Sequence, residues 1–399
     1  MSEAPWLTVL GLGEDGLDGL PPASRQVLDR AEVVMGPPRH LSLIPQGDAE
    51  RIEWPVPFSD GIPLLQGHRG RRVVVLASGD PFWFGAGSVI ARHFGAGEWT
   101  ALPGPSTFSL AAARLAWPLE RTLTLGLHAA PLTRLRPHLA QSQRAIVLLR
   151  DGAAVAALAE WLTELGFGDS TLHVLEALGG PRERVRTGKA ADLGFDDIAH
   201  PVCVGLEVAG NGTAIPKASG WPDDTFETDG QITKRPVRAL TLSALAPQRG
   251  EHLWDIGGGT GSIGIEWLAC DPSLTATAIE PRADRAERIR RNADALGQDR
   301  LEVIHGQAPE ALGGLRLPDV VFIGGGLSNA LLEWLSAHLN AGTRLVANAV
   351  TLESEALLAV WHEKLGGDLL RIELAQAAPL GPRRGWKSAY PVVQWSVTL

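Results

Sequence analysis

The residues of this chain best suited to chemistry stand in one run, Leu253-Trp254-Asp255-Ile256-Gly257-Gly258-Gly259-Thr260-Gly261-Ser262-Ile263-Gly264. An apolar stretch giving way to close glycines predicts a buried strand that turns into a helix. Backbone can then approach a ligand, and the helix start offers free amides. The next apolar run ends Ala278-Ile279-Glu280, which sets a carboxylate 21 residues beyond Gly259, a separation that suits the two hydroxyls of a ribose. Asp255, Gly257, Gly259, Gly261 and Glu280 therefore point to an adenosine-containing cofactor. Gly259, Gly261 and Gly264 also satisfy the dinucleotide spacing G-x-G-x-x-G, so NAD competes with S-adenosylmethionine. Asp255 favours the latter, because an acid two places before the first glycine repels a diphosphate and not a sulfonium cation. The plain alternative is a turn without a ligand.

The first half carries a second set of loops. Val9-Leu10-Gly11-Leu12-Gly13 is again a strand followed by close glycines, Ala77-Ser78-Gly79-Asp80-Pro81 follows a buried strand, and Pro103-Gly104-Pro105-Ser106-Thr107 precedes a helix from Leu110 to Leu115. Gly79-Asp80-Pro81 falls at a strand's carboxyl end, where open α/β sheets hold ligands, although Asp and Pro also form ordinary turns. Gly36-Pro37-Pro38-Arg39-His40 is a further candidate wall, with Arg39 either meeting a substrate carboxylate or standing in solvent.

These loops need elements to position them. Short apolar runs alternate with longer amphipathic stretches, the pattern of α/β domains around largely parallel sheets. Strands are predicted at 7–10, 73–76, 123–125, 145–149 and 202–208, with a helix over 152–165. Periodicity lapses over 209–229, where Gly, Pro, Asn, Ser and Asp accumulate, and this stretch reads as a linker. A second series follows with strands at 252–256, 274–279, 301–304, 320–323 and 343–347. Helices are predicted over 236–245, 261–270, 282–296, 329–339 and 352–365, and 390–399 reads as a closing edge strand or hairpin. The domains are thus 1–208 and 230–399, the second a doubly wound sheet.

The 399 residues suffice for two or three domains, and 45% apolar with 20% charged residues describes a globular chain. A net charge of −9 argues against a general nucleic-acid binder. No stretch approaches the ~18 apolar residues of a membrane span. Residues 1–5 lack a basic leader, so a cytoplasmic protein is expected. Cys203 and Cys270 sit in apolar runs without metal-ligand spacing, so both are expected in cores, with no disulfide and no metal.

The blocks Thr233-Lys234-Arg235-Pro236-Val237-Arg238-Ala239, Asp255 to Gly261, Glu280-Pro281, Pro318-Asp319-Val320-Val321-Phe322-Ile323-Gly324-Gly325 and Ala347-Asn348-Ala349-Val350-Thr351-Leu352-Glu353 occur in this order. Together they resemble the precorrin methyltransferase-decarboxylases of cobalamin synthesis, a class I Rossmann-like fold. The loops of residues 5–208 resemble the tetrapyrrole (corrin and porphyrin) methylases, a two-lobed α/β domain with a cleft for S-adenosylmethionine and a macrocycle. The resemblance implies one S-adenosylmethionine per domain. It implies methylation of C5 of a corrin precursor by the first domain, and of C15 by the second with loss of carbon dioxide from the C12 acetate. In the first domain it assigns Gly11, Gly13, Gly79, Asp80, Ser106 and Thr107 to the cleft. In the second it places Gln307 and Ala308 beside the adenine, where class I methyltransferases often carry an acid.

A substrate rich in acetates and propionates needs cations, and Lys234 and Arg235 are the first candidates. Arg238, Arg383, Arg384 and Lys387 are further ones, with the last three equally readable as surface charge. Asn348, Thr351 and Glu353 are assigned to substrate orientation, with helix capping the alternative for Thr351. Trp83 and Trp386 could stack on the macrocycle or pack in cores. The resemblance also implies self-association through the second domain. Two other functions fit parts of the pattern: a NAD-linked oxidoreductase, and a tetrapyrrole carrier in which only the second domain is active.

Overall fold

The computed structural model describes residues 5–399, so the reading of residues 1–4 as free of a basic leader lies outside the described residues. The chain forms two compact units, one running to Ala130 and including Leu139–Thr213, the other comprising Pro131–His138 and Ala214–Leu399.

The first unit holds two sheets. Strands β1 (Leu7–Leu12), β2 (Val33–Gly36), β3 (Glu50–Glu53), β4 (Val73–Ser78) and β5 (Trp99–Leu102) make a parallel sheet in the order β3-β2-β4-β1-β5. Every residue of β1 is buried, as expected of a central parallel strand covered on both faces. Strands β6 (Leu123–Gly126), β7 (Arg144–Leu149), β8 (Thr171–Glu176), β9 (Arg184–Lys189) and β10 (Val202–Glu207) form the second sheet in the order β6-β7-β10-β8-β9. Only β6 and β7 are parallel there, so the expectation of largely parallel sheets fails for this lobe. Strand β9, Arg-Val-Arg-Thr-Gly-Lys, shows the difference: it alternates half-buried and exposed positions, as an antiparallel edge strand does.

The second unit is built on strands β11 (His252–Ile256), β12 (Thr275–Glu280), β13 (Leu301–His305), β14 (Val320–Ile323), β15 (Arg344–Ala349) and β16 (Asp368–Ile372). A hairpin of β17 (Ala375–Leu380) and β18 (Arg383–Ser388) follows, and then β19 (Val392–Thr398). The main sheet has the order β13-β12-β11-β14-β15-β19-β16, parallel from β13 to β15. Strand order reverses beside β11, which opens a crevice at the carboxyl ends of β11 and β14. The carboxyl-terminal strand is not an edge: β19 lies antiparallel between β15 and β16, and this inner position covers the fully buried Trp395 from both sides.

Alternate residues of β11 feed two cores. Leu253 packs with Leu242, Leu268 and Ile289 on one face, and Trp254 and Ile256 pack with Leu331, Leu335 and Leu358 on the other. The stretch read as a linker contributes Ile215, Trp221 and Phe226 to the first of these cores. Three spaced apolar residues among glycines and prolines anchor a strap without any helical or strand period. Cys203 is buried as expected, whereas Cys270 is exposed at the end of the helix Ser262–Cys270.

Candidate functional site

The strand-order reversal of the second unit opens onto a cleft of about 700 Å³. Its floor is the loop after β11. Gly257 has φ of +75°, and a Cβ there would sit 2.6 Å from the Gly325 nitrogen, so this loop and the one after β14 pass with no room for a side chain. Gly259, at φ of +60°, has no atom nearer than 3.9 Å to such a Cβ, and there the glycine leaves space on the cleft side. Glu280, at the end of β12, is buried and fixes this loop. Its Oε2 accepts from the Gly259 N–H at 2.9 Å and its Oε1 from the Arg282 N–H at 3.1 Å. Each carboxylate oxygen keeps acceptor capacity for a ligand hydroxyl.

Asp255 behaves differently from the sequence reading. Its carboxyl is buried beneath the loop, where Oδ2 accepts the Gly264 N–H at 3.1 Å and pins the start of the helix Ser262–Cys270. Burial pushes its pKa up to about 7, opposed by the Gly264 bond and reinforced by the Glu280 charge. At neutral pH it is no longer a full negative charge, so it cannot by itself repel a diphosphate. The loop amides supply a better reason. Gly257 and Gly258 donate to the Ile279 carbonyl at 2.9 and 3.2 Å, Gly261 donates to Gly258 at 2.8 Å, and Gly259 donates to Glu280. The N–H groups of all four glycines are spent inside the protein, which leaves none of them to cradle a diphosphate.

The loop after β13 brings Gln307 and Ala308 to the same cleft, and Asn348 and Val350 at the end of β15 reach it from the other side. The strap Gly230–Lys234 borders the mouth, as do Leu374, Ala389 and Tyr390 at the base of the β17–β18 hairpin. Lys234 lies at the cleft with its ammonium largely exposed and 3.8 Å from the Asp223 carboxylate.

Several expected site residues lie elsewhere. Arg235 is outside the cleft lining, with its side chain in solvent and its N–H donated to Asp223 at 3.0 Å. Arg238 is fully buried, bonded to Glu266 at 2.6 Å, to Asp223 at 3.1 Å and to the Thr233 and Trp221 carbonyls. That arginine ties the strap to the helix Ser262–Cys270, so no substrate carboxylate can reach it. Thr351 is the N-cap of the helix Leu352–Leu365, its hydroxyl accepting from the Ser354 N–H at 3.2 Å. Glu353, in the first turn of that helix, is exposed and outside the lining, where an acid favours the helix start. Arg383, Arg384, Trp386 and Lys387 are exposed along the hairpin.

In the first unit the loops after β1, β4 and β5 interlock. A Cβ on Gly11 would lie 1.9 Å from the Gly79 carbonyl oxygen, the Gly104 N–H donates to that same oxygen at 3.0 Å, and the Gly79 N–H donates to Leu12 at 3.1 Å. Gly13 is crowded by the Asp15 carboxylate. Asp80 Oδ1 accepts the Phe82 N–H at 2.8 Å, as an Asx-turn does. Ser106 Oγ caps the helix Thr107–Leu115 by accepting from the Ser109 N–H at 3.0 Å.

The Arg39 guanidinium is bonded to the buried Glu14 and to Ser78 Oγ at 2.9 Å, so it does not stand free in solvent. Burial, with the Arg39 charge beside it, pushes His40 down to about 3. Glu14 also accepts from Arg182 at 3.3 Å. Sequence reasoning passed over this acid, though its place directly after Gly13 was the available signal.

Comparison with known proteins follows the same two-part division. A family model described as tetrapyrrole (corrin/porphyrin) methylases matches residues 7–194, and one described as a precorrin methyltransferase domain matches residues 224–399. The chain is 50% identical over 402 residues to a Sinorhizobium protein named precorrin-6Y C(5,15)-methyltransferase [decarboxylating], covering 99% of this chain and 97% of that one. A Mycobacterium tuberculosis protein of the same name is 43% identical over 98% of this chain and 99% of its own. A Salmonella typhimurium protein named cobalt-precorrin-6B C(15)-methyltransferase (decarboxylating) is 36% identical over 168 residues, 40% of this chain and 85% of that one.

Proposed function

The chain belongs to the decarboxylating precorrin-6Y C(5,15)-methyltransferases, and from that premise we propose how its two units divide the reaction. It is an S-adenosylmethionine-dependent methyltransferase of cobalamin biosynthesis that acts on a precorrin. In our reading the first unit methylates C5, and the second methylates C15 and removes the carboxyl of the C12 acetate, giving precorrin-8. Each unit binds its own S-adenosylmethionine. Support for the division comes from the relative named for C(15) methylation and decarboxylation alone, which spans 40% of this chain.

One observation carries the reading of the second unit: the Glu280-anchored glycine loop, Gln307, Lys234 and Asn348 line one cleft. Glu280 takes the ribose hydroxyls, Gln307 and Ala308 flank the adenine, and the open side of Gly259 admits the donor. When bound, S-adenosylmethionine supplies an electrophilic methyl group. The residues at the mouth hold the macrocycle in line with it and exclude water. No acid–base dyad is needed, because the enamine nitrogens of the tetrapyrrole make the accepting carbon electron-rich.

In the decarboxylation, the bond between the arm's methylene and its carboxyl carbon breaks and its electron pair enters the macrocycle's conjugated imines. Carbon dioxide leaves, and a proton from water turns the methylene into a methyl. Lys234 pairs with carboxylates on arms that are retained.

In the first unit we assign Gly11, Gly13, Gly79, Asp80, Ser106 and Thr107 to the corresponding S-adenosylmethionine site, the loops that carry Gly11, Gly79 and Gly104 being held together by close backbone packing. We further place the protein in the cytoplasm. Among the described residues no helix is long and apolar enough to cross a membrane. Self-association through the second unit is supported by the exposed Leu380 and Trp386 of its hairpin.

The test is the mass of the product formed from precorrin-6Y and labelled methyl donor. The wild-type chain adds two methyl groups and loses one carbon dioxide, whereas Glu280→Ala adds one methyl and keeps every carboxyl. A Glu280→Ala product that has lost carbon dioxide would contradict the division. A product with no methyl added would mean that the first unit only carries the macrocycle.

A further inference from the structure

Opposite Asn348, and its direct partner in the antiparallel pairing of β15 with β19, stands Gln394. Its amide is buried, as is Thr241 on the helix Arg235–Leu245. Gln394 Nε2 donates to Thr241 Oγ1 at 3.1 Å and to Asn348 Oδ1 at 3.0 Å, and Asn348 Nδ2 donates to Thr241 Oγ1 at 2.9 Å. The Thr241 hydroxyl in turn donates to the Val237 carbonyl at 2.9 Å.

This set closes on itself. Both Gln394 N–H groups are spent, and Thr241 has given its proton and filled both lone pairs. Asn348 retains one N–H. Turning the Asn348 amide over would set two donors face to face in a buried place, which is costly. Its orientation is therefore fixed by residues that do not line the cleft, while Asn348 itself does.

We propose that Thr241 and Gln394 are positioning residues that hold the remaining N–H of Asn348 toward the carboxylate of the acetate arm that leaves as carbon dioxide. This rests on the reading of the second unit given above. A departing carboxylate loses its charge on the way to the transition state, so a cation gripping it would stabilise the ground state more than the transition state. A neutral amide orients the arm without that penalty. A lysine at the mouth and an asparagine at the end of β15 thus divide the substrate's carboxylates into those kept and the one lost.

The test uses the full chain with precorrin-6Y, measuring carbon dioxide released per methyl transferred, with S-adenosylhomocysteine affinity as the control for folding. Thr241→Val and Gln394→Leu are expected to lower the rate of carbon dioxide release by about tenfold, with methyl transfer changed less than about twofold, and Thr241→Ser to restore it. Gln394→Glu, which replaces the donor by an acceptor of the same shape, carries the test if Thr241→Val no longer binds S-adenosylhomocysteine, and it too should lower the release. An unchanged ratio of carbon dioxide to methyl in these variants, or a failure of Thr241→Ser to restore it, overturns the positioning role. Asn348→Ala separates the two levels. If it abolishes release while the Thr241 and Gln394 variants stay at the wild-type ratio, only the positioning role falls; if it has no effect, the assignment of Asn348 to the substrate falls with it.

Discussion

Two glycine loops with nearly the same sequence signature use their glycines for different purposes. In the first unit Gly11, Gly79 and Gly104 are pressed backbone against backbone, so loop packing already requires them. In the second unit Gly259 has open space on its cleft side, with a left-handed φ and an N–H held by Glu280. A glycine pattern thus marks close approach without saying what approaches. Only the surroundings distinguish another loop from a ligand.

Substitution separates the two cases most sharply. Gly11→Ala forces a methyl group into the Gly79 carbonyl and should destabilise the first unit by about 3 kcal/mol, read as faster amide exchange across β1 and β4. Gly259→Ala meets no neighbour. It should cost the second unit about 1 kcal/mol through its left-handed φ, and weaken S-adenosylhomocysteine binding about tenfold by filling the cleft side. Equal losses of stability in the two variants would erase the distinction.

The units also differ in their response to pH. His40, held near 3 against an ordinary 6.5, stays neutral when folded, so between those values only the unfolded chain takes the proton and the first unit weakens as pH falls below about 6.5. Asp255, raised to about 7 from 3.8, keeps its proton when folded. The second unit therefore weakens as pH rises from about 4 to 7, and the loss is complete above that. Each group contributes at most about 1.4 kcal/mol per pH unit. Amide exchange at pH 5 and pH 7.5 should move in opposite senses in β4 and β11 relative to the variants His40→Asn and Asp255→Asn, which flatten the respective trends. A slightly smaller effect is expected at Thr351, where Thr351→Ala should lose about 1 kcal/mol of stability with S-adenosylhomocysteine affinity unchanged, as a helix cap does.

Much of the second unit is legible because its strands are short apolar runs that alternate with longer amphipathic stretches. The spacing of Glu280 from Gly259 identified the carboxylate that now anchors the loop. What escaped had no local signature. Strand β16 is almost wholly exposed and shows no alternation, so nothing in the sequence announces a strand on the far side of β19. Arg238 looks like any cation of a basic run until the buried Glu266, 28 residues away, is seen against it. Gln394 is one of three polar residues in a strand that also holds Ser396 and Thr398, and its importance appears only in the register that sets it opposite Asn348. The charge of Asp255 is not legible in the sequence, which conveys a residue's type and not its burial.

The claim that each unit holds its own cofactor is tested most directly by calorimetric titration of the full chain with S-adenosylhomocysteine. The account predicts two sites per chain, reduced to one by Glu280→Ala with the affinity of the remaining site unchanged. A single site in the wild-type chain, or the loss of all binding in Glu280→Ala, would contradict it.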